Sequence, residues 1–247
     1  MGKLGSAIRN MALNDETCEI VSGIDIIGSG NGLTFPAYSD ISLCDREADV
    51  VVDCSTAEAV TATLDYCVKR QIPLVICTTG LSQEQLEKIN IASKKVAILL
   101  SANMSLGINL MINMVQRAAK LLSGAFDIEI IEKHHNLKID APSGTALTLA
   151  DAIKSAVDKP DEFEYIYDRS LARKRRGAGE IGIHTLRGGT IVGEHSVIFA
   201  GCDEVIEFKH QALSKDVFAV GAIKSARFLY NKPPGFYTMQ DMIENGE

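Results

Sequence analysis

Ala48-Asp49-Val50-Val51-Val52 is a short, nearly all-apolar run, and after Asp53-Cys54-Ser55-Thr56 it gives way to a helical pattern reaching about Arg70. The same alternation occurs twice more. Pro73-Leu74-Val75-Ile76 leads through Cys77-Thr78-Thr79-Gly80 to a helical pattern with Ser82 as its cap, ending near Ser93. Val96-Ala97-Ile98-Leu99-Leu100 then leads through Ser101-Ala102-Asn103-Met104 to a long helical pattern from Ser105. Short strands that are apolar throughout are buried on both faces, and the intervening helices supply the cover, so this stretch predicts a parallel α/β sheet. Ligands of such sheets bind beyond the carboxyl ends of the strands. Cys77, Thr78, Thr79, Ser101, Ala102, Asn103 and Met104 are therefore candidate cofactor contacts.

Upstream, Gly2-Lys3-Leu4-Gly5 opens directly into Ala7, Ile8, Met11 and Ala12 at helical spacing. This matches the last two glycines of Gly-x-Gly-x-x-Gly, which brings a dinucleotide pyrophosphate to a helix N-terminus. Glu19 to Ile24 reads as a strand ending in Asp25, twenty residues after Gly5, where a Rossmann-like domain places an acid for the adenosine ribose. Gly2, Lys3, Leu4 and Asp25 join the candidate cofactor contacts. No arginine or lysine stands in Ile26-Ile27-Gly28, so a 2′-phosphate would meet a carboxylate without a nearby cation. The expected cofactor is NADH, with NADPH as the alternative. The first glycine of the loop and the strand before it are absent from the sequence. In a doubly wound sheet that strand lies centrally, between the strands that end at Asp25 and at Val52-Asp53. Unpaired strand edges and impaired cofactor affinity are expected, as from a start codon placed too late or a shortened chain.

Downstream, Leu110, Met111, Met114, Val115, Ala118 and Leu121 recur at helical spacing, and these methionines read as core filling. Phe126 to Ile131 alternates as a strand and enters Glu132-Lys133-His134-His135-Asn136-Leu137-Lys138-Ile139-Asp140-Ala141-Pro142-Ser143-Gly144-Thr145-Ala146, followed by a helical pattern to about Val157. His134, His135 and Lys138 are expected in a loop between these elements. An imidazole titrates at about 6.5, so either histidine can donate a proton near neutral pH. Lys138 adds a fixed cation, or an acid if burial lowers its pKa. Pro142 suits the first helical position, which would leave the N–H groups of Ser143, Gly144 and Thr145 open to a carboxylate. Taken singly, these residues also fit a decorated surface loop and an ordinary helix start. Their concentration in fifteen positions describes a pocket for a small anion that must be protonated.

This stretch closely resembles the substrate motif of the 4-hydroxy-tetrahydrodipicolinate reductase (dihydrodipicolinate reductase) family, Glu-x-His-His-x-x-Lys-x-Asp-Ala-Pro-Ser-Gly-Thr-Ala, at every fixed position. Ile181-Gly-Ile-His-Thr-Leu-Arg-Gly-Gly-Thr-Ile-Val-Gly-Glu-His195 is similar to the family's second marked segment. The resemblance covers nearly the whole chain and fails only at the N-terminus. It implies NAD(P)H-dependent reduction of 4-hydroxy-tetrahydrodipicolinate, by way of dihydrodipicolinate, in diaminopimelate and lysine synthesis. Hydride would go to C4 and a proton to C3. It further implies His134 as the acid with Lys138 as donor or partner, and His135, Gly144 and Thr145 around the substrate carboxylates. The Thr78-Thr79 and Ala102-Asn103 segments would line the nicotinamide. The family usually has Gly where this chain has Cys77, which bears on close backbone approach there. A cytoplasmic homotetramer is also implied. The competing readings are another Rossmann-type amino-acid dehydrogenase, which has no need of the His-His-x-x-Lys loop, and a non-catalytic nucleotide sensor.

Three β-rich segments, 181–187, 190–200 and 204–211, are separated by Gly188-Gly189, a hairpin signal, and by Gly201-Cys202-Asp203. They predict a mostly antiparallel sheet, in which His184, His195 and His210 read as packing or surface residues without metal-like spacing. The expected organisation is a dinucleotide-binding domain of residues 1–104 and 216–247 and an α+β substrate-binding and oligomerisation domain of residues 105–215. Asp158 to Gly179 is polar and holds Arg169, Arg173, Lys174, Arg175 and Arg176, which reads as a mobile, solvated loop attracting a dicarboxylate. A net charge of -7 and the lack of interleaved aromatics argue against nucleic acid as a partner. No apolar run approaches a membrane span. The six cysteines contain no Cys-x-x-Cys pair and read as reduced thiols, not as a metal site.

Overall fold

Leu74 and Ile76 point to one side of their strand and Val75 and Cys77 to the other, and all four are buried. The computed structural model describes residues 2–26, 33–170 and 173–245, and the chain divides into one unit within 1–106 and 215–247 and another of 107–214. The first unit opens with α1 (Lys3–Ala12) and a two-stranded parallel sheet of β1 (Gly23–Ile24) and β2 (Ala37–Tyr38). Then come β3 (Val51–Asp53), α2 (Ala57–Arg70), β4 (Leu74–Ile76), α3 (Gln83–Ala92) and β5 (Ala97–Leu100). The Ser82 hydroxyl accepts from the Gln85 amide and the Gln85 side chain accepts from the Ser82 amide, closing both ends of a capping box on α3.

The second unit holds α4 (Leu106–Leu122), β6 (Asp127–His134), α5 (Gly144–Ala156), β7 (Glu164–Ile166), β8 (Glu180–Arg187), β9 (Gly193–Ala200) and β10 (Val205–Ala212). The chain closes the first unit with α6 (Asp216–Leu229), β11 (Gly235–Tyr237) and α7 (Met239–Asn245).

The large sheet of the first unit is parallel throughout, in the order β11-β5-β4-β3. Leu74, Ile76 and Ile98 pack on one side with Val60, Leu64 and Cys67 of α2 and Ile89 of α3. Val75, Cys77 and Leu99 pack on the other with Ala222 and Leu229 of α6, Met239 and Met242 of α7, and Leu4 and Ile8 of α1. This double cover is what the unbroken apolar runs require. Of the strand expected over 19–24, only Gly23–Ile24 forms, because its neighbours have no ladder to join. Among the described residues nothing pairs with the outer edge of β3, or with β1 on the side away from β2.

The second unit's sheet runs β10-β9-β6-β8-β7. The hairpin expected at Gly188-Gly189 is not there, although both strands are. β8 lies parallel to β6, and the chain then crosses the end of β6 and returns antiparallel on its far side as β9. A glycine pair permits a tight turn, but it does not choose the partner strand. Ile128 and Ile130 of β6, Ile181 and Ile183 of β8, and Val197 and Phe199 of β9 build a core with α4 and α5.

The arginine-rich segment corrects a second expectation. Arg176 donates to Asp127 Oδ1 at 2.6 Å and to Glu129 Oε1 at 3.1 Å on the outer face of β6, and Arg169 lies 2.5 Å from Glu180 Oε2. The loop is pinned where β6 presents its outward acids, while Arg173, Lys174 and Arg175 remain exposed. Leu171 and Ala172 of this loop, and Ile27 and Gly28 after Asp25, lie outside the described residues.

Candidate active site

Side chains two apart on a strand share a face, so Glu132 and His134 continue the inward row begun by Ile128 and Ile130. His134 is the last residue of β6, which corrects its expected place in a loop; only His135 and Lys138 lie on the turn that follows. Glu132 is wholly buried, and its carboxylate collects five donors. His134 Nδ1 is 2.6 Å from Oε2. Arg187 grips both oxygens at 2.8 Å, Nη1 on Oε2 and Nη2 on Oε1. The Thr185 hydroxyl and the Ser143 amide each donate to Oε1 at 3.0 Å. Thr185 stands opposite Glu132 and Arg187 opposite His134 in the β6–β8 register, so the parallel pairing itself delivers these donors.

The electrostatics follow from this geometry. Burial pulls the Glu132 pKa up, but Arg187, His134, Thr185 and the Ser143 amide together hold it down at about 2. Burial lowers the His134 pKa; Glu132 pushes back, and the cations Lys138 and Arg187 add to the lowering. His195, expected as a packing or surface residue, is buried and packs beside His134. Its ring meets that of His134 edge-on at 5.2 Å between centroids, and its Nε2 lies 3.1 Å from Ser143 Oγ. Burial, then the neighbouring His134, lowers its pKa to about 4. His184 lies on the other face, with Nε2 2.8 Å from Glu129 Oε2.

Pro142 is not the first helical residue. It follows a cis peptide bond, and Ser143 is the N-cap of α5, its hydroxyl accepting from the Ala146 amide. Because Glu132 takes the Ser143 N–H, one of the three amides expected to face a carboxylate is already engaged. Gly144 is exposed, and a Cβ there would meet nothing within 4 Å. Lys138 Nζ is 2.8 Å from Asp140 Oδ1, and His135 Nδ1 is buried without a partner among the described residues. Arg187 Nη2 also donates to the Asp140 carbonyl at 2.5 Å, tying the turn to the same guanidinium. Sequence reading placed Glu132 in the motif without a role and missed Arg187, Thr185 and His195. The i, i+2 spacing of Glu132 and His134 was the available signal; the others needed strand register.

In the first unit the carboxyl ends of β3, β4 and β5 lie along one edge, as parallel pairing requires. Thr79 and Ala102 are exposed there. The Thr78 hydroxyl donates to Asp53 Oδ1 at 2.6 Å, while Ser101 and Asn103 brace each other across a turn. Cys77, Met104 and Leu4 turn their side chains into the core, and the Cys77 N–H is bonded to the Asp53 carbonyl at 2.8 Å. Burial pushes the thiol pKa of Cys77 well up. Gly2 caps α1 in open space, ahead of the first-turn amides of Lys3 and Leu4. Asp25 follows β1 directly. Asp53 Oδ2 is buried at this edge without a partner among the described residues. A free helix start, an acid after β1 and an open strand edge fit a dinucleotide.

Comparison with known proteins shows the family. The family profile described as dihydrodipicolinate reductase, N-terminus, matches residues 1–104, and that described as dihydrodipicolinate reductase, C-terminus, matches residues 107–243. The chain is 51% identical to 4-hydroxy-tetrahydrodipicolinate reductase of Caldanaerobacter subterraneus subsp. tengcongensis, covering 99% of this chain and 96% of that one. It is 48% identical to the Clostridium tetani protein of the same name, covering 99% and 94%. The solved structure of dipicolinate-bound dihydrodipicolinate reductase from Paenisporosarcina sp. TG-14 superposes with a TM-score of 0.78 at 25% identity, covering 96% of this chain and 94% of that one.

Proposed function

The chain belongs to the dihydrodipicolinate reductase family, and from that premise we infer that it is an NAD(P)H-dependent oxidoreductase of diaminopimelate and lysine synthesis. Its reaction is the reduction of 4-hydroxy-tetrahydrodipicolinate, by way of dihydrodipicolinate, to tetrahydrodipicolinate. The observation that carries this reading is His134 seated on the buried Glu132, beside Lys138 and the start of α5. A cyclic dianion that must accept one proton calls for such a set. The dipicolinate held by the Paenisporosarcina relative supports a planar dicarboxylate as the ligand class.

When bound, the nicotinamide cofactor would supply a hydride for C4 of the ring. His134 delivers the proton to C3, with Lys138 as donor or partner. His135, Gly144 and Thr145 hold the carboxylates, the last two through the α5 N-terminus. The lowered pKa of His134 leaves the free protein's imidazole neutral at physiological pH, and the arriving dianion restores its charge.

For the cofactor, the amides of Gly2, Lys3 and Leu4 meet the pyrophosphate and Asp25 takes the ribose hydroxyls. The segments around Cys77, Thr78 and Thr79, and Ser101, Ala102, Asn103 and Met104, line the nicotinamide end. Asp25 without an adjoining cation favours NADH; equal kcat/KM values for the two cofactors, or a higher one for NADPH, would refute this. Among the described residues no helix is long and apolar enough to cross a membrane. We read the setting as a cytoplasmic homotetramer. Its support is the sheet face turned away from α4 and α5, where Leu186 and Val205 are exposed. An NADH-oxidation assay coupled to the synthase that makes the unstable substrate tests the whole reading. His134→Ala should lose kcat by roughly two to four orders of magnitude, and full activity in that variant would refute the role of His134.

A further inference from the structure

We propose that Glu132 is the positioning residue of His134: its carboxylate accepts the Nδ1–H, fixes that tautomer, and leaves Nε2 as the nitrogen that exchanges a proton with the ligand. The inference deepens the reductase reading and rests on it for the identity of the proton acceptor.

An ionised carboxylate can only accept, so an imidazole nitrogen 2.6 Å from Glu132 Oε2 must carry the hydrogen. Glu132 stays ionised because Arg187, Thr185 and the Ser143 amide donate to it from β8 and from the N-cap of α5. The same contacts prevent the carboxylate from following the ring if it rotates. Nε2 then points toward Gly193, where a Cβ would come within 3.2 Å of it, so any side chain at that position would crowd this nitrogen.

Arg187 has a second effect. A lone carboxylate at this distance would favour a permanently charged imidazolium. The bidentate guanidinium offsets that charge, so Glu132 orients the ring while leaving it free to gain a proton when an anion arrives. The charged and titratable groups facing His134 are Glu132 on its own strand, Lys138 on the turn, Arg187 from β8 and His195 from β9, with His210 of β10 acting on His195.

The side-chain nitrogens of the 15N-labelled full chain distinguish the two tautomers, and with five histidines the spectrum is assignable. At neutral pH the free protein should show His134 protonated on Nδ1 and bare on Nε2. A proton on Nε2 instead overturns the proposal, whether or not the protein turns over substrate. Glu132→Gln should populate the other tautomer, lower kcat by roughly 10²- to 10⁴-fold with KM little changed, and move the His134 titration to lower pH. An unchanged tautomer and kcat in that variant would also overturn it. If Glu132→Gln fails to fold, the wild-type spectrum still upholds or overturns the proposal by which nitrogen carries the proton. The predicted tautomer in a protein without reductase activity would uphold the positioning and refute the functional reading.

Discussion

Replacing Arg187 by Met keeps an apolar stem at the end of β8 and removes the guanidinium from Glu132. In the wild type the folded-state pKa of Glu132 lies at about 2, against an ordinary value of 4.5. A folded pKa below the unfolded one contributes stability that is full above pH 4.5 and is lost as pH falls through about 2. At about 1.4 kcal/mol per pKa unit the contribution at neutral pH is about 3 kcal/mol. Without Arg187 the burial of Glu132 is opposed by fewer donors, its pKa returns toward or above the ordinary value, and most of that stability disappears. His134 can then take up a proton and replace part of the lost charge, so about 3 kcal/mol is an upper value.

The difference between wild type and Arg187→Met should therefore shrink from about 3 kcal/mol at neutral pH to about 1 kcal/mol near pH 3. Urea unfolding followed by far-UV circular dichroism measures it, because the chain has no tryptophan. Hydrogen exchange of the β6 and β8 peptides assigns the transition to the second unit. A difference that stays constant from neutral pH to pH 3 would refute the reasoning, since the guanidinium would then stabilise by packing and not by holding the carboxylate ionised.

Three further outcomes follow from close approaches and from the pinned loop. Gly193→Ala puts a methyl group 3.2 Å from His134 Nε2 and should cut kcat roughly tenfold with the melting temperature nearly unchanged; undiminished turnover would show that Nε2 is not the working nitrogen. Gly221→Ala would place a Cβ 1.7 Å from the Met104 carbonyl oxygen, so α6 must move off, and thermal unfolding should show a loss of about 1–3 kcal/mol or more; a neutral effect would contradict that packing. Arg176→Ala should speed hydrogen exchange in residues 173–179 well beyond any global destabilisation, and unaltered exchange there would mean that Asp127 and Glu129 do not hold the loop.

The parallel sheet of the first unit was legible because its constraint is local. A strand buried on both faces must be apolar at every position, and 74–76 and 96–100 are. The candidate site was legible for a similar reason, since His134, His135, Lys138 and the start of α5 fall within one short stretch. The second sheet was not, because a hydrophobic alternation says which residues face inward but not which strand lies alongside. Gly188-Gly189 reads as a hairpin whether its flanking strands pair with each other or on either side of β6.

The sequence by itself therefore determined the elements, the inward rows of side chains and the family motif, all of which depend on spacing along the chain. Only the tertiary structure decided that Glu132 answers to Arg187, Thr185 and the Ser143 amide, and that the His195 ring abuts that of His134. Those partners stand 11 to 61 residues away along the chain, and they meet because β6 runs between β8 and β9. A buried charge has to find its donors wherever the fold puts them, and no local pattern records where that is.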